Sequence, residues 1–185
     1  SSPPRTLSDV LLSPSNDPNW QADVSREPFT FDPVDGDRVT IHNIRTFDYR
    51  TKPYRENYTS RTILISDIVG LDFALCYWGS DLIAHPIASF RFKNGAPPIC
   101  FSIEARKEEG EGGSSVLGFF RQYELIYIAA EESDVIRLRT NVRNNEWAYF
   151  YKTTANPQRV QTIFRDYLRG ANELIEKPQW YNALT

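Results

Sequence analysis

Residues 83–106 read IAHPIASFRFKNGAPPICFSIEAR, two apolar runs joined by a segment made of turn residues. Ile83 to Phe92 and Ile99 to Arg106 are rich in β-branched and aromatic residues, whereas Asn94-Gly95 and the paired prolines between them interrupt any regular element. The pattern predicts two neighbouring antiparallel strands. Period-two alternation places His85, Ile87, Ser89 and Arg91 on one face of the first strand, with Ala84, Pro86, Ala88, Phe90 and Phe92 on the other. In the second strand Cys100, Ser102 and Glu104 share a face opposite Phe101, Ile103 and Ala105. If the two polar faces coincide, His85 comes within reach of Ser102 or Glu104.

Working outward, DGDRVTIHNIRTFDYRT (35–51) opens with a turn signal and alternates Val39, Ile41 and Asn43 against Thr40, His42 and Ile44, a further strand. RTILISDIVGLDFALCYWGS (61–80) predicts a helical turn over Ser66–Val69 with Ser66 as cap, then a strand from Leu71 to Tyr77 closed by Gly79-Ser80-Asp81. KEEGEGGSS (107–115) is glycine-rich and charged, which predicts a surface loop. SVLGFFRQ (115–122) suits a short helix leading into YELIYIAA (123–130). EESD and RNNE then read as turns that separate this strand from VIRLRTN (135–141) and WAYFYKTT (147–154), a three-strand meander.

The strongest helical pattern is at the end. Asn156 is placed to cap and Pro157 occupies the first helical position, where its missing N–H costs nothing. Val160, Ile163, Phe164, Tyr167, Leu168, Ala171, Leu174 and Ile175 form one apolar stripe before Pro178 stops the helix. A mostly antiparallel sheet with one long C-terminal helix packed on it is an α+β architecture. Residues 1–35, rich in Ser, Pro, Asp and Asn, read as an extended stalk or linker that wraps the surface or stays mobile, leaving 36–185 as a single domain. The opening without methionine leads to the expectation that the natural start lies upstream.

Composition narrows the function. With 41% hydrophobic residues in 185, the chain supports one ordinary core. Its 21 basic and 24 acidic residues are interspersed, so it lacks the basic stripe with which a nucleic-acid binder neutralises phosphates. No window carries the roughly 20 apolar residues of a membrane-spanning helix. Cys76 and Cys100 sit in apolar runs, which favours buried and inert thiols; a bridge between them is possible in an oxidising compartment. The two histidines, His42 and His85, show no metal-ligand spacing, so no metal and no cofactor is expected. His42 lies in a polar segment where Arg45, Asp48 and Arg50 are expected to form ion pairs. Imidazole beside a carboxylate or hydroxyl is an arrangement suited to a general base, yet no serine or cysteine lies in a nucleophile-elbow context, and the plain alternative is a half-buried histidine with one hydrogen bond.

Taken together, DGDRVTIHNIRTFDYRT, YWGSDLIAHPIASFRF, CFSIEARKEEGE, GFFRQYELIYIAAEESDVIRLRTN and EKPQWYNALT resemble successive landmarks of the Lnb N-terminal periplasmic domain family, over residues 16–185. The resemblance implies a thiol-enzyme fold similar to permuted papain-like proteins, the group of NlpC-type peptidases and lecithin:retinol acyltransferase. In that order the histidine strand comes first, so IAHPIASF makes His85 the general base. Glu104 is implied as its orienting partner, with Ser102 a close competitor, and an Asn-Cys pair is expected just beyond WYNALT. Neither Cys76 nor Cys100 matches the family's cysteine, so this stretch alone is expected to be inactive. The implied setting is a periplasmic domain held to the inner membrane by a preceding anchor, its partners lipid, lipoprotein or peptide acyl substrates, with the Lys107–Ser115 loop as a possible lid. The alternative is a non-catalytic envelope binding or scaffold module that uses Tyr77, Trp78, Trp147, Tyr149 and Trp180 as a contact patch.

Overall fold

A computed structural model of the chain describes residues 20–50, 53–78, 80–106, 124–137 and 146–179. Among these the strands are β1 (Arg38–Arg45), β2 (Tyr58–Leu64), β3 (Ile68–Trp78), β4 (Ser80–Phe92), β5 (Ile99–Arg106), β6 (Glu124–Glu131) and β7 (Glu146–Lys152), and the helices are α1 (Glu132–Arg137) and α2 (Pro157–Glu176). The strands form a single seven-stranded sheet in the order β2-β1-β6-β5-β4-β3-β7. Every neighbouring pair is antiparallel except β1 with β6, which run parallel. The architecture is the expected α+β sheet with a C-terminal helix.

The hairpin that opened the reading is present as expected, with Ile87 opposite Ser102 and Phe90 opposite Ile99. Gly95 takes φ 73° in its connection, a conformation that glycine adopts without a Cβ penalty. The alternating residues divide the sheet into two faces. On one, Leu71, Ala88, Phe90, Ile99, Phe101 and Ala129 meet Val160, Phe164 and Leu168 of α2. Phe164 stands edge-on to Phe90 at 4.9 Å and to Phe101 at 5.6 Å, and Tyr167 stacks on Phe101. Each buried apolar side chain of the stripe contributes roughly 2 kcal/mol. Asn156 caps the helix by accepting the Arg159 N–H at 2.9 Å. The far end of the stripe is less deep than its spacing suggested, since Ile175 is exposed.

The opposite face buries Val24, Ala74, Cys76, Ile87, Cys100, Ile126, Ile128, Ala130 and Val135. Val135 of α1 and Val24, from the segment before β1, complete it, so part of the expected stalk belongs to the core. Phe29 pairs with His42, and Val24 is core.

Four local expectations are corrected. In β1, Asn43 has φ 59° and the register shifts between Ile41 and Ile44, which returns Ile44 to the face of Val39 and Ile41. The bulge breaks the alternation that had put Ile44 with His42. Val135 belongs to α1, where a strand was expected from 135, and Glu132–Asp134 form the helix's first turn. Among the described residues the strands after β6 do not form the expected meander: β6 lies between β1 and β5, while β7 runs beside β3 at the far end. The turn expected at Ser66–Val69 is a short 3-10 turn over Ile65–Asp67, one residue earlier. The 107–115 loop, the 115–122 helix and residues 138–145 lie outside the described residues.

Candidate active site

His85, Ser102 and Glu104 come together on the face away from α2. β3 and β4 remain paired as far as Trp78 and Ser80, and β5 and β6 as far as Arg106 and Glu124. The ladder between β4 and β5, in contrast, covers only Ile87–Phe90 and Ile99–Ser102. The sheet therefore forks just past Ile87 and Ser102, and His85 and Glu104 are the first residues on this face beyond the fork. Their side chains bridge it.

His85 Nε2 lies 2.7 Å from Ser102 Oγ and 3.1 Å from Glu104 Oε1. Ser102 donates its hydroxyl proton to Glu104 Oε1 at 2.6 Å. A hydroxyl that donates to the carboxylate can only accept from the ring, and the carboxylate oxygen is likewise an acceptor, so Nε2 carries a proton and Nδ1 is the basic nitrogen of the neutral ring. Ser102 is buried, whereas the side chains of His85 and Glu104 are 12% and 17% exposed, so solvent reaches the pair. Ser102 is not built as a nucleophile. The carboxylate meets the same ring nitrogen as the hydroxyl, whereas a hydrolase triad puts them on opposite nitrogens.

Cys76 and Cys100 are not bridged to each other, and both are buried. Cys76 is the direct cross-strand neighbour of His85. Cys100 is pushed up to about 12, chiefly by burial, against a hydrogen bond with Ser89. A thiol so hard to ionise is a core residue rather than a nucleophile. His42 lies on β1, with β6 and β5 between it and the strand of His85. It stacks on Phe29 at 5.0 Å and its Nδ1 lies 2.9 Å from Ser60 Oγ.

Two buried charge clusters lie outside this trio, and neither was expected from the sequence. Arg45, expected to pair locally, reaches Asp134 in α1: its Nε donates to both carboxylate oxygens at 3.1 Å, and Asp134 also accepts from Phe47 N–H at 2.7 Å and Tyr49 O–H at 3.0 Å. Burial and the Asp134 carboxylate together hold the Tyr49 hydroxyl well above its ordinary value. Asp48 and Arg50 do pair with each other, at 2.7 Å. Arg106 donates to the carbonyls of Val24 and Ser25 at 2.8 Å and stacks over Trp20, with Glu27 at 3.7 Å. Burial raises Glu27 to about 7, opposed by Arg106 and reinforced by Glu124. A sequence signal existed for the first cluster, since an aspartate three residues into a stretch beginning EESD suits a helix start as well as a turn.

The chain leaves α2 toward the same end of the sheet. The Leu125 N–H donates to the Gln179 carbonyl at 2.7 Å, and Leu125 precedes Ile126, the register partner of Glu104. Two shallow hollows lie elsewhere, one of about 230 Å³ beside Arg38, Arg61 and Phe92, the other of about 360 Å³ beside Arg26 and Tyr58. Among the described residues, no helix is long and apolar enough to cross a membrane.

No curated protein matches the sequence. No solved structure matches it either. The family model of the Lnb N-terminal periplasmic domain matches residues 54–185, a span that takes in β2 through α2 and all three clustered side chains. The chain therefore belongs to the Lnb N-terminal periplasmic domain family.

Proposed function

We infer that this periplasmic domain is the base-bearing part of a thiol acyltransferase or hydrolase of permuted papain-like type, acting on lipid, lipoprotein or peptide acyl groups. The observation that carries the reading is the His85–Ser102–Glu104 cluster at the fork of β4 and β5. It fixes the tautomer of a solvent-reached imidazole and sets a carboxylate beside it to stabilise the imidazolium. The return of Gln179 to this end of the sheet supports a thiol supplied from sequence beyond Thr185, and preceding sequence would hold the domain at the inner membrane.

In this mechanism His85 Nδ1 takes the thiol proton, and the thiolate attacks the acyl carbonyl. The resulting oxyanion is held by backbone N–H groups at the start of the helix bearing the thiol. The bond to the leaving alcohol or amine breaks, the imidazolium returns the proton to it, and a thioester remains. An amine or water then attacks the thioester, loses its proton to His85, and frees the thiol. His85 is the general base and acid, and Glu104 and Ser102 are positioning residues.

The test is labelling of the full-length protein, extended past Thr185, with a thiol reagent that mimics an acyl group. One cysteine outside Cys76 and Cys100 should label rapidly, and His85→Ala should slow it by about 100-fold or more. Labelling indifferent to His85 would sink this reading.

A further inference from the structure

We propose that β7 is the contact strand of a symmetric dimer, pairing antiparallel with β7 of a second copy of this chain. The argument starts from what an edge strand needs. Among the described residues β7 is the outer strand beyond β3, and an outer strand carries a row of backbone donors and acceptors directed away from the sheet. Proteins guard such edges with charge, proline, bulges or brevity. The opposite edge, β2, is guarded in this way: its middle carries Ser60, Arg61 and Thr62, and Arg61 is tied to the Pro97 carbonyl at 2.8 Å. β7 carries none of these devices in its middle, its charges standing only at its two ends. It reads EWAYFYK, pairs with β3 over its whole length without a bulge, and leaves Tyr149, Phe150 and Tyr151 55%, 56% and 50% exposed. Aromatic surface is thus left in water on both faces of this edge.

The register selects the occupant. The Thr153 N–H donates to the Leu71 carbonyl at 3.2 Å, and because the antiparallel ladder alternates, Tyr149 and Tyr151 also direct their backbone groups toward β3. Those of Glu146, Ala148, Phe150 and Lys152 point outward. Antiparallel pairing of two such strands about Tyr149 sets Glu146 against Lys152, Ala148 against Phe150, and the reverse, so each outward residue meets an outward residue of the other copy. This register also places the two charged ends of the strand opposite each other, twice, by symmetry. Shifting the centre to Phe150 keeps the backbone match but sets Lys152 against Ala148 and leaves Glu146 beyond the pairing. The sequence of β7 is complementary to itself in one register, as an isologous two-fold contact requires. Tyr149 would then face its own copy, an aromatic cross-strand pair of the kind that stabilises sheets.

The experiment is sedimentation of the purified 185-residue chain over a concentration series, with circular dichroism to confirm folding. The wild type should shift from monomer to dimer as concentration rises. Glu146→Lys and Lys152→Glu should each weaken association by about tenfold or more, and the double exchange should restore it. Phe150→Pro, which removes an outward N–H and no bond to β3, should give a folded monomer. A chain that stays monomeric at every concentration would overturn the proposal. So would dimerisation indifferent to all of these changes, and so would a monomer whose β7 aromatics bind phospholipid vesicles instead.

Discussion

At the scale of single residues, the site depends on one hydroxyl proton. Ser102 donates to Glu104, which obliges His85 Nε2 to donate to Ser102. Long-range nitrogen–proton spectra of the 185-residue chain should therefore show His85 as the Nε2–H tautomer when neutral. Ser102→Ala should retain that tautomer, because Glu104 Oε1 lies 3.1 Å from the same nitrogen. Glu104→Gln should populate the other one. The composition of this cluster was readable from alternation alone, since a period of two in each strand and one hairpin register suffice to put His85 beside Ser102 and Glu104. The fork was not readable. Where two strands stop pairing depends on the elements packed over them, and Ile87 and Ser102, the last pair of the ladder, look no different in sequence from their neighbours.

At the scale of elements, Asp134 explains both what α1 does and why its sequence misled. VIRLRTN has the β-branched start and alternation of a strand, but the Asp134 carboxylate accepts from Arg45, from Phe47 N–H and from Tyr49 O–H, all on or just after β1. Those bonds span more than eighty residues of sequence, outside the reach of local propensity. α2 is the contrasting case, since its cap, its proline and its apolar stripe are all local, and the helix Pro157–Glu176 follows the pattern closely. Because Arg45 and Asp134 are both buried, removing one strands the other. Asp134→Ala should lower unfolding free energy by about 3 kcal/mol or more in urea titration. Exchanging both for apolar residues, Arg45→Met with Asp134→Leu, should recover only part of the loss. Phe47 N–H and Tyr49 O–H would remain without their acceptor.

For the whole molecule, the order β2-β1-β6-β5-β4-β3-β7 means that the chain is closed by long-range contacts. The segment around Val24 is one of them, since Val24 packs into the face that carries His85. Its anchor is Arg106, bonded to the carbonyls of Val24 and Ser25 and stacked on Trp20. The Arg106 guanidinium interacts there with the carboxylates of both Glu27 and Glu124. Burial favours the protonated form of Glu27, whose pKa rises from 4.5 to about 7. Since the folded state binds the proton more tightly than the unfolded chain, the segment is most firmly held below about pH 4.5 and loosens as pH rises through about 7. Solvent screening leaves an effect on the order of 1–2 kcal/mol. Hydrogen exchange in residues 20–27, corrected for the intrinsic rate, should show protection that falls between pH 5 and pH 8. In Glu27→Gln, which is neutral at every pH, that fall should largely disappear and the segment should be better protected than wild type at pH 8. If wild type and variant lose protection in parallel, Glu27 is not the group that holds the segment, and the anchor is the pH-independent pairing of Arg106 with the two carbonyls alone.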